Sequence, residues 1–439
     1  MNTEPTNKSV SAKTDNAQAD SPAPQAPMLR STKLLFAVSA SMTVSTIYYA
    51  QPLLADIAES LHIARSSIGE AITVTQLFYA LGLLLLVPLG DLLNRRTLIA
   101  AHLAMSAAAL AVTGVAHGRT TLYVGLAAVG LLAVATQSLV AFASILAAPG
   151  ERGRVVGFVT SGVVIGILLA RTFAGLLARL GDWHLVYLIS ASLMALLSVL
   201  AWRTLPNAAP RASNASWGSY RGLIRSMPML FIQEKLFRIR AAFAFFIFAA
   251  FSLLWTSLSL PLSDPPFSYS PAAIGAFGLA GAAGALGAAG AGRLADRGYQ
   301  RRTTGGALAL LLASWLPIAM LARSPLLLIA GIVLLDLAVQ AVHVTNQSLL
   351  FSLRPEARNR VTAGYMIFYS LGSGAGSLIG THAYAYSGWS GVCWAGGAVS
   401  GAALLFWALA GSERGRPVGE DAYAQTAQPK SSLPRQASE

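Results

Sequence analysis

The residues able to do chemistry are few, and most of them sit where lipid should be. Asp336 stands about 11 residues into an apolar run, and Gln340, His343 and Gln347 follow it at i+4, i+7 and i+11. That spacing draws one polar stripe along a helix. At ~1.5 Å of rise per residue the carboxyl is roughly 17 Å deep, close to a bilayer midplane. Low dielectric disfavours the charged form of a carboxyl, so a group so placed suits the loading and release of a proton. It suits equally a structural acid hydrogen-bonded inside a bundle. Asp336, Gln340, His343 and Arg171 are therefore the candidate proton or substrate site. Arg171 keeps its charge at any accessible pH and needs a partner or a wet cavity. Three roles are open to it: pairing with Glu70 to close one side of the membrane, gripping an anionic substrate, or a structural or snorkelling role. Gln51, Gln76, Tyr79, Gln137, Asn346 and Tyr369 are further cavity candidates.

The elements that must position these groups are read from composition. Of 439 residues, 55% are hydrophobic and 11% charged, against about 25% charged in a soluble domain, and the mean hydropathy is +0.58. Twelve apolar runs have the ~20-residue length of a span: 34–54, 67–89, 97–116, 121–147, 155–177, 184–202, 239–262, 271–292, 304–322, 325–351, 361–385 and 390–410. This predicts an all-α polytopic membrane protein with twelve transmembrane helices in two parallel six-helix repeats. The expected layout is a disordered tail at 1–32, a first bundle at 33–202, a cytoplasmic loop at 203–238, a second bundle at 239–411 and a tail at 412–439. Within the loop, Leu223 to Phe237 reads as an interfacial helix or as plain linker. The eighth run repeats glycine at 275, 278, 281, 284, 287 and 290, a seam for close helix packing that either slides or stays fixed.

The net charge of +13 follows the membrane and not a nucleic acid. With Arg240, the second residue of the run 239–262, counted with the loop that it borders, 26 Lys and Arg fall on one face and four on the other, and Arg171 lies inside a span. The positive-inside rule then puts both termini in the cytoplasm. The single cysteine, Cys393, excludes a disulfide framework or a cysteine metal site within the chain.

An internal repeat is the strongest signal of organisation. Pro149-Gly150-Glu151-Arg152-Gly153-Arg154-Val155 recurs as Pro355-Glu356-Ala357-Arg358-Asn359-Arg360-Val361, an offset of 206 residues. The same offset links Gly166 to Gly372, Trp183 to Trp389, and Arg95-Arg96 to Arg301-Arg302. A six-span unit repeated in parallel can rock about a central site.

Two loop motifs carry a resemblance. The first reads Val87-Pro88-Leu89-Gly90-Asp91-Leu92-Leu93-Asn94-Arg95-Arg96, and the second Gly292-Arg293-Leu294-Ala295-Asp296-Arg297-Gly298-Tyr299-Gln300-Arg301-Arg302. Placed as a pair, they resemble the signature of the major facilitator superfamily, over residues 33 to 411. The first copy has Val87, Leu92 and Asn94 where the family has Gly, Arg and Gly. The resemblance implies a conformational gate at Asp91, Arg95, Arg96, Asp296, Arg297 and Arg301, where a carboxylate meets a facing helix N-terminus or an arginine. Within the superfamily, Tyr48-Tyr49-Ala50-Gln51-Pro52-Leu53-Leu54 and Thr75-Gln76-Leu77 look like bacterial proton-coupled efflux carriers of the drug or arabinose-exporter kind. Ile167 and Ala170-Arg171 depart from the fifth-span pattern of the drug antiporters.

No Gly-x-x-x-x-Gly-Lys-Ser/Thr loop, His-Glu-x-x-His pair or Cys/His cluster occurs, which argues against an ATP-driven pump and a metal site. The expectation is a non-enzymatic, cofactor-free secondary transporter of the bacterial inner membrane. It would work as a monomer in lipid, exporting a small organic solute against protons. Uptake by symport, and a membrane sensor built on the same fold, are the alternatives.

Overall fold

The structure is a computed structural model that describes residues 28–148, 150–207, 217–288, 294–353 and 358–410. Both expected tails lie largely outside this set, as do Pro149, Gly290 and Pro355 to Ala357. The described chain is helical throughout. In lipid the backbone has no water to bond, so an apolar run must satisfy its own N–H and C=O groups along a helix.

The first helices are α1 (Arg30–Ser45), α2 (Leu54–Ser60), α3 (Gly69–Leu85), α4 (Arg95–Gly114), α5 (Arg119–Leu132), α6 (Ala135–Leu146), α7 (Arg152–Ala178) and α8 (Trp183–Thr204). There follow α9 (Trp217–Gln233), α10 (Lys235–Ser257), α11 (Ser259–Ser263), α12 (Pro271–Gly287), α13 (Gln300–Ala319), α14 (Pro325–Leu353) and α15 (Arg358–Leu409). Among the described residues, eight helical stretches are long and apolar enough to cross a membrane. The longest, α15, is interrupted at Ser387 and at Gly388, whose φ of 60° suits glycine. The first expected span stops at Ser45, passes through turns, and resumes as a 3-10 turn at Gln51–Leu53. Pro52 has no N–H for a continuing helical bond.

Polar side chains mark where helices begin. Asn94 caps α4 by accepting from the N–H groups of Arg96 and Thr97, and Asp182 caps α8 in the same way. Arg238 donates to the carbonyls of Phe231 and Ile232 and so closes the C-terminus of α9. The segment read as interfacial helix or linker is helical over Trp217–Gln233.

The contacts divide into two compact units. Unit 1 holds residues 1–225 together with 255–279, and unit 2 holds 226–254 together with 280–439. In unit 1, a Cβ at Gly162 or Gly166 would lie 2.7 Å from the Ala37 carbonyl or 2.4 Å from that of Ser41. In unit 2, the corresponding distances are 2.2 Å from Gly372 to Phe245 and 2.0 Å from Gly376 to Ala249. Real Cβ atoms do not approach a carbonyl so closely, so glycine is what lets α7 lie on α1 and α15 on α10. The Trp183 indole donates to Ser60 and the Trp389 indole to the Ile318 carbonyl. Gly166 and Gly372, 206 residues apart, thus each admit a facing carbonyl within their own unit, whereas the two indoles, also 206 apart, take partners at non-equivalent positions.

Candidate functional site

In unit 1 the break in the first span builds the site. The turn at Tyr48 to Pro52 carries Gln51 sideways, where its Oε1 accepts from Arg171 Nε at 2.7 Å. The guanidinium lies over the Trp255 ring, 3.9 Å from its centroid, and 5.2 Å from that of Tyr48. Arg171 is 4% exposed. A planar, weakly hydrated guanidinium is the cation best suited to such an aromatic bed. Next to Tyr48 stands Tyr79, hydrogen-bonded with the Gln137 side chain. One turn earlier on α3, the buried Gln76 Oε1 meets no hydrogen-bond donor among the described residues. Gln51, Gln76, Tyr79, Gln137 and Arg171, singled out separately in the sequence, are therefore gathered with Tyr48 and Trp255 on one unit. The gathering offers amide and phenol hydrogen bonding beside one fixed positive charge.

The pairing of Arg171 with Glu70 is corrected by the structure. Glu70 takes Arg119 instead. Glu70 opens α3 and Arg119 opens α5, so the two meet at neighbouring helix ends. Arg171 sits further along α7, at the level of Gln51.

Unit 2 is organised around a buried arginine near the start of α10. Arg240, second in the run 239–262 and counted with the loop cations in the charge balance, lies inside α10 and is 2% exposed. At the edge of an apolar run, an arginine five residues after Lys235 reads as one more cation of the basic loop and not as a buried group. Arg240 Nη1 donates to Thr304 Oγ1 at 3.1 Å and to Asn346 Oδ1 at 3.2 Å. Asn346 Nδ2 donates in turn to Tyr365 Oη at 3.3 Å. The same oxygen meets His343 Nδ1 at 2.9 Å, and Gln347 Nε2 meets His343 Nε2 at 3.1 Å. Gln347 Nε2 can only donate, so a neutral His343 accepts on Nε2, carries its proton on Nδ1 and donates it to Tyr365 Oη. Phe248 packs edge-on against His343 and lies 3.9 Å, centroid to centroid, from Tyr369.

The polar stripe on α14 takes up this network in part. His343 and Gln347 belong to it directly, and Gln340 is half-buried one turn before His343. Asp336, two turns before His343, is 5% exposed. No group of His, Cys, Asp and Glu among the described residues is placed to hold a metal.

The chain matches the family model described as Major Facilitator Superfamily over residues 34–316 and 244–436. An uncharacterized transporter of Escherichia coli O157:H7, YgaY, is 46% identical over 85% of this chain and 94% of its own. This chain belongs to the major facilitator superfamily. A protein of Helicobacter pylori strain G27 described as a "probable sugar efflux transporter" is 24% identical, covering 85% of this chain and 93% of its own. A crystal structure of a bacterial homologue of the human lysosomal transporter Spinster, inward-facing and occupied, superposes with a TM-score of 0.70 at 15% identity. That match covers 87% of this chain and 96% of the other, and it shows the fold alone. The protein is thus a bacterial multi-pass inner-membrane carrier, a secondary transporter of a small organic solute, and not an enzyme.

The superfamily signature has a readable backbone here. Val87 to Asp91 form a 3-10 turn, and Arg95 Nε donates to the Gly90 carbonyl at 3.1 Å. Asn94 occupies the second glycine position of the family pattern and acts as the cap of α4, which accounts for that departure. In the second copy Gly298 has φ 88°, a turn conformation that glycine adopts without strain. Arg96 lies over Trp202 and Arg301 over Trp407, matching contacts in the two units. Arg297 is exposed. The side chains of Asp91 and Asp296 lie outside the described set.

Proposed function

We propose that the protein exports a small organic solute from the cytoplasm in exchange for protons. It does so by alternating access between the six-helix halves of a twelve-span carrier whose termini are both cytoplasmic. The observation that carries the proton part is the buried polar system on α14, where Asp336 precedes a hydrogen-bonded His343 on a membrane-depth helix. Ionisable groups at that depth are costly and are kept for a function. The efflux direction is supported by the Tyr48 to Leu54 motif and by the name of the Helicobacter relative. The twelve-span count is supported by the sequence repeat and by Gly166 and Gly372, 206 apart, each meeting a carbonyl of its own unit. The gate assigned to Asp91 and Asp296 rests on the signature and on its paired turns. The carrier works as a monomer, since each unit supplies its own polar system.

The test uses inverted membrane vesicles, whose lumen corresponds to the outer side, with a panel of small organic solutes. An acid lumen should drive solute inward, and a protonophore should abolish the uptake. Asp336→Asn should transport without responding to the pH gradient. Uptake that is indifferent to the gradient in the wild type, or gradient-driven in D336N, overturns the proton assignment.

A further inference from the structure

Thr256, Ser259 and Gln76 are buried polar residues whose side chains do little to hold the fold. A buried helical hydroxyl commonly donates to the carbonyl four residues back, as Thr43, Thr75, Thr113, Ser190 and Thr345 do here. Thr256 and Ser259 are wholly buried, yet Oγ1 of the first and Oγ of the second meet no hydrogen-bond partner among the described residues. Gln76 is 2% exposed, and its Oε1 is in the same condition. A buried polar group left unpaired is costly, so its persistence calls for an explanation.

All of these groups belong to unit 1 and border the Arg171 site. Trp255, whose ring centroid is 3.9 Å from the guanidinium, is followed one residue later by Thr256 and four later by Ser259. At about 100° of turn per residue, both hydroxyls fall within roughly 100° of Trp255 around the axis. Leu258, between α10 and α11, keeps helical φ and ψ, so that count carries across the junction. Ser259 opens α11, and α11 packs on the turn Gln51–Leu53 that presents the acceptor for Arg171. Gln76 stands one turn before Tyr79, the neighbour of Tyr48, whose ring centroid is 5.2 Å from the guanidinium.

The groups differ in what they ask of a ligand. Arg171 keeps its positive charge and favours a carboxylate. Gln76 Oε1 accepts only, so it calls for a donor, which an ionised carboxylate lacks. An ammonium donor would be repelled by Arg171. Thr256 and Ser259 both donate and accept, as an alcohol does. We infer that the solute is a hydroxylated organic anion, its carboxylate taken by Arg171 and its hydroxyls by Gln76, Thr256 and Ser259. The inference rests on the reading of the protein as an exporter of a small organic solute, and its test needs neither a direction nor a proton gradient.

The test is counterflow with the purified full-length protein in liposomes. Vesicles loaded with unlabelled D-gluconate should take up labelled D-gluconate with the pH gradient collapsed. Hexanoate has the carboxylate without the hydroxyls, and D-glucose the hydroxyls without the carboxylate. Each should compete at least about tenfold more weakly than D-gluconate, as at a site built to bond both parts. Ser259→Ala and Thr256→Val should each raise the half-saturating D-gluconate concentration about fivefold, the loss of one hydrogen bond, and Arg171→Gln should abolish counterflow. Size-exclusion profiles identify a misfolded variant, and the competition on the wild type decides the class without any variant. Competition by hexanoate or D-glucose as strong as that by D-gluconate overturns the inference, as does counterflow by neither D-gluconate nor D-glycerate. Unchanged half-saturation in both hydroxyl variants overturns the place given to Thr256 and Ser259. D-gluconate counterflow by a protein whose net flux ignores an imposed pH gradient would overturn the antiport reading and leave the solute class standing.

Discussion

Gln51 offers the sharpest test of how the unit 1 site is held. Its Oε1 accepts from Arg171 Nε at 2.7 Å, and both side chains are almost wholly buried. Gln51→Leu keeps the bulk and removes the acceptor, leaving a guanidinium N–H to face an apolar methyl. A hydrogen bond to a charged group is worth about 1.5–3 kcal/mol net, so Gln51→Leu should destabilise the protein by about 2 kcal/mol. Gln51→Glu restores an acceptor and adds a charge. Its attraction to Arg171 is offset by the desolvation of a second buried ion, so it should fall within about 1 kcal/mol of the wild type. The assay is unfolding of the purified protein by SDS titration from mixed micelles, followed by tryptophan fluorescence, with Trp255 beside the altered bond as a reporter. Gln51→Leu within about 0.5 kcal/mol of the wild type, the ordinary range of an uninvolved substitution, would refute the reasoning. So would Gln51→Glu being as damaging as Gln51→Leu, since the missing oxygen would then not be the cause.

Further outcomes follow from the packing and the second unit. Gly376→Ala places a Cβ 2.0 Å from the Ala249 carbonyl and should cost about 1–3 kcal/mol by overpacking; Gly401→Ala, with nothing within 4 Å, should be neutral or stabilising by up to about 1 kcal/mol. The two are compared by thermal melting in detergent, and the reverse order would count against the seam. Arg240→Met leaves Asn346 Oδ1 without its donor in the described network and should cost about 1–3 kcal/mol, seen as a lowered melting temperature in detergent; Leu34→Arg, at the matching repeat position, should gain no such network. Asp91→Asn should slow solute flux in vesicles while the amount of inserted protein stays unchanged, and full flux would remove Asp91 from the gate.

The helical runs, the repeat and the polar stripe were legible because each is a pattern in one dimension. Apolar runs of span length and equal spacings survive without any knowledge of contacts. The gathering of Gln51, Tyr79, Gln137 and Arg171 was legible as a set of polar residues at depth, but not as a set of partners. Partner choice depends on helix rotation and on the turn at Tyr48 to Pro52, which moves Gln51 off its helical position. Glu70 looked as suitable as Gln51 by depth alone, and the nearer helix-end arginine, Arg119, took it. Arg240 is the second residue of the run 239–262, where a cation next to a basic loop is indistinguishable in sequence from one more loop cation. Its isolation from Arg238 by one residue was the available signal: on a helix, neighbours two apart point to different sides, and only one of them caps α9.

The two units share their scaffold and not their chemistry, and the glycines show how that is arranged. Gly130 on α5 needs to lack a side chain, because the Thr75 carbonyl of α3 comes within 2.1 Å of where a Cβ would be. Its counterpart 206 residues later is Asp336, so the equivalent helices of unit 2 cannot meet at the same point. In unit 1 the α3 side also carries a glycine, with a Cβ at Gly82 2.3 Å from the Leu131 carbonyl, and in unit 2 the α12 side keeps its own: Gly284 approaches the Val333 carbonyl at 2.3 Å, and Gly287 approaches the Leu337 side chain at 3.0 Å. Keeping the small residues on the α12 side while giving up the one at 336 preserves a close crossing and frees that position to carry a carboxyl. Arg171 shows the same division in reverse, since its counterpart is the buried Ser377. Glycine placement therefore decides which helix of each repeat can bear a functional side chain. A Gly284→Leu substitution should then disturb Asp336 by pushing α12 off α14, even though the carboxyl itself is untouched. Gradient-driven flux in that variant should fall toward that of D336N, whereas Gly306→Leu, on α13 with nothing within 4 Å, should leave it intact.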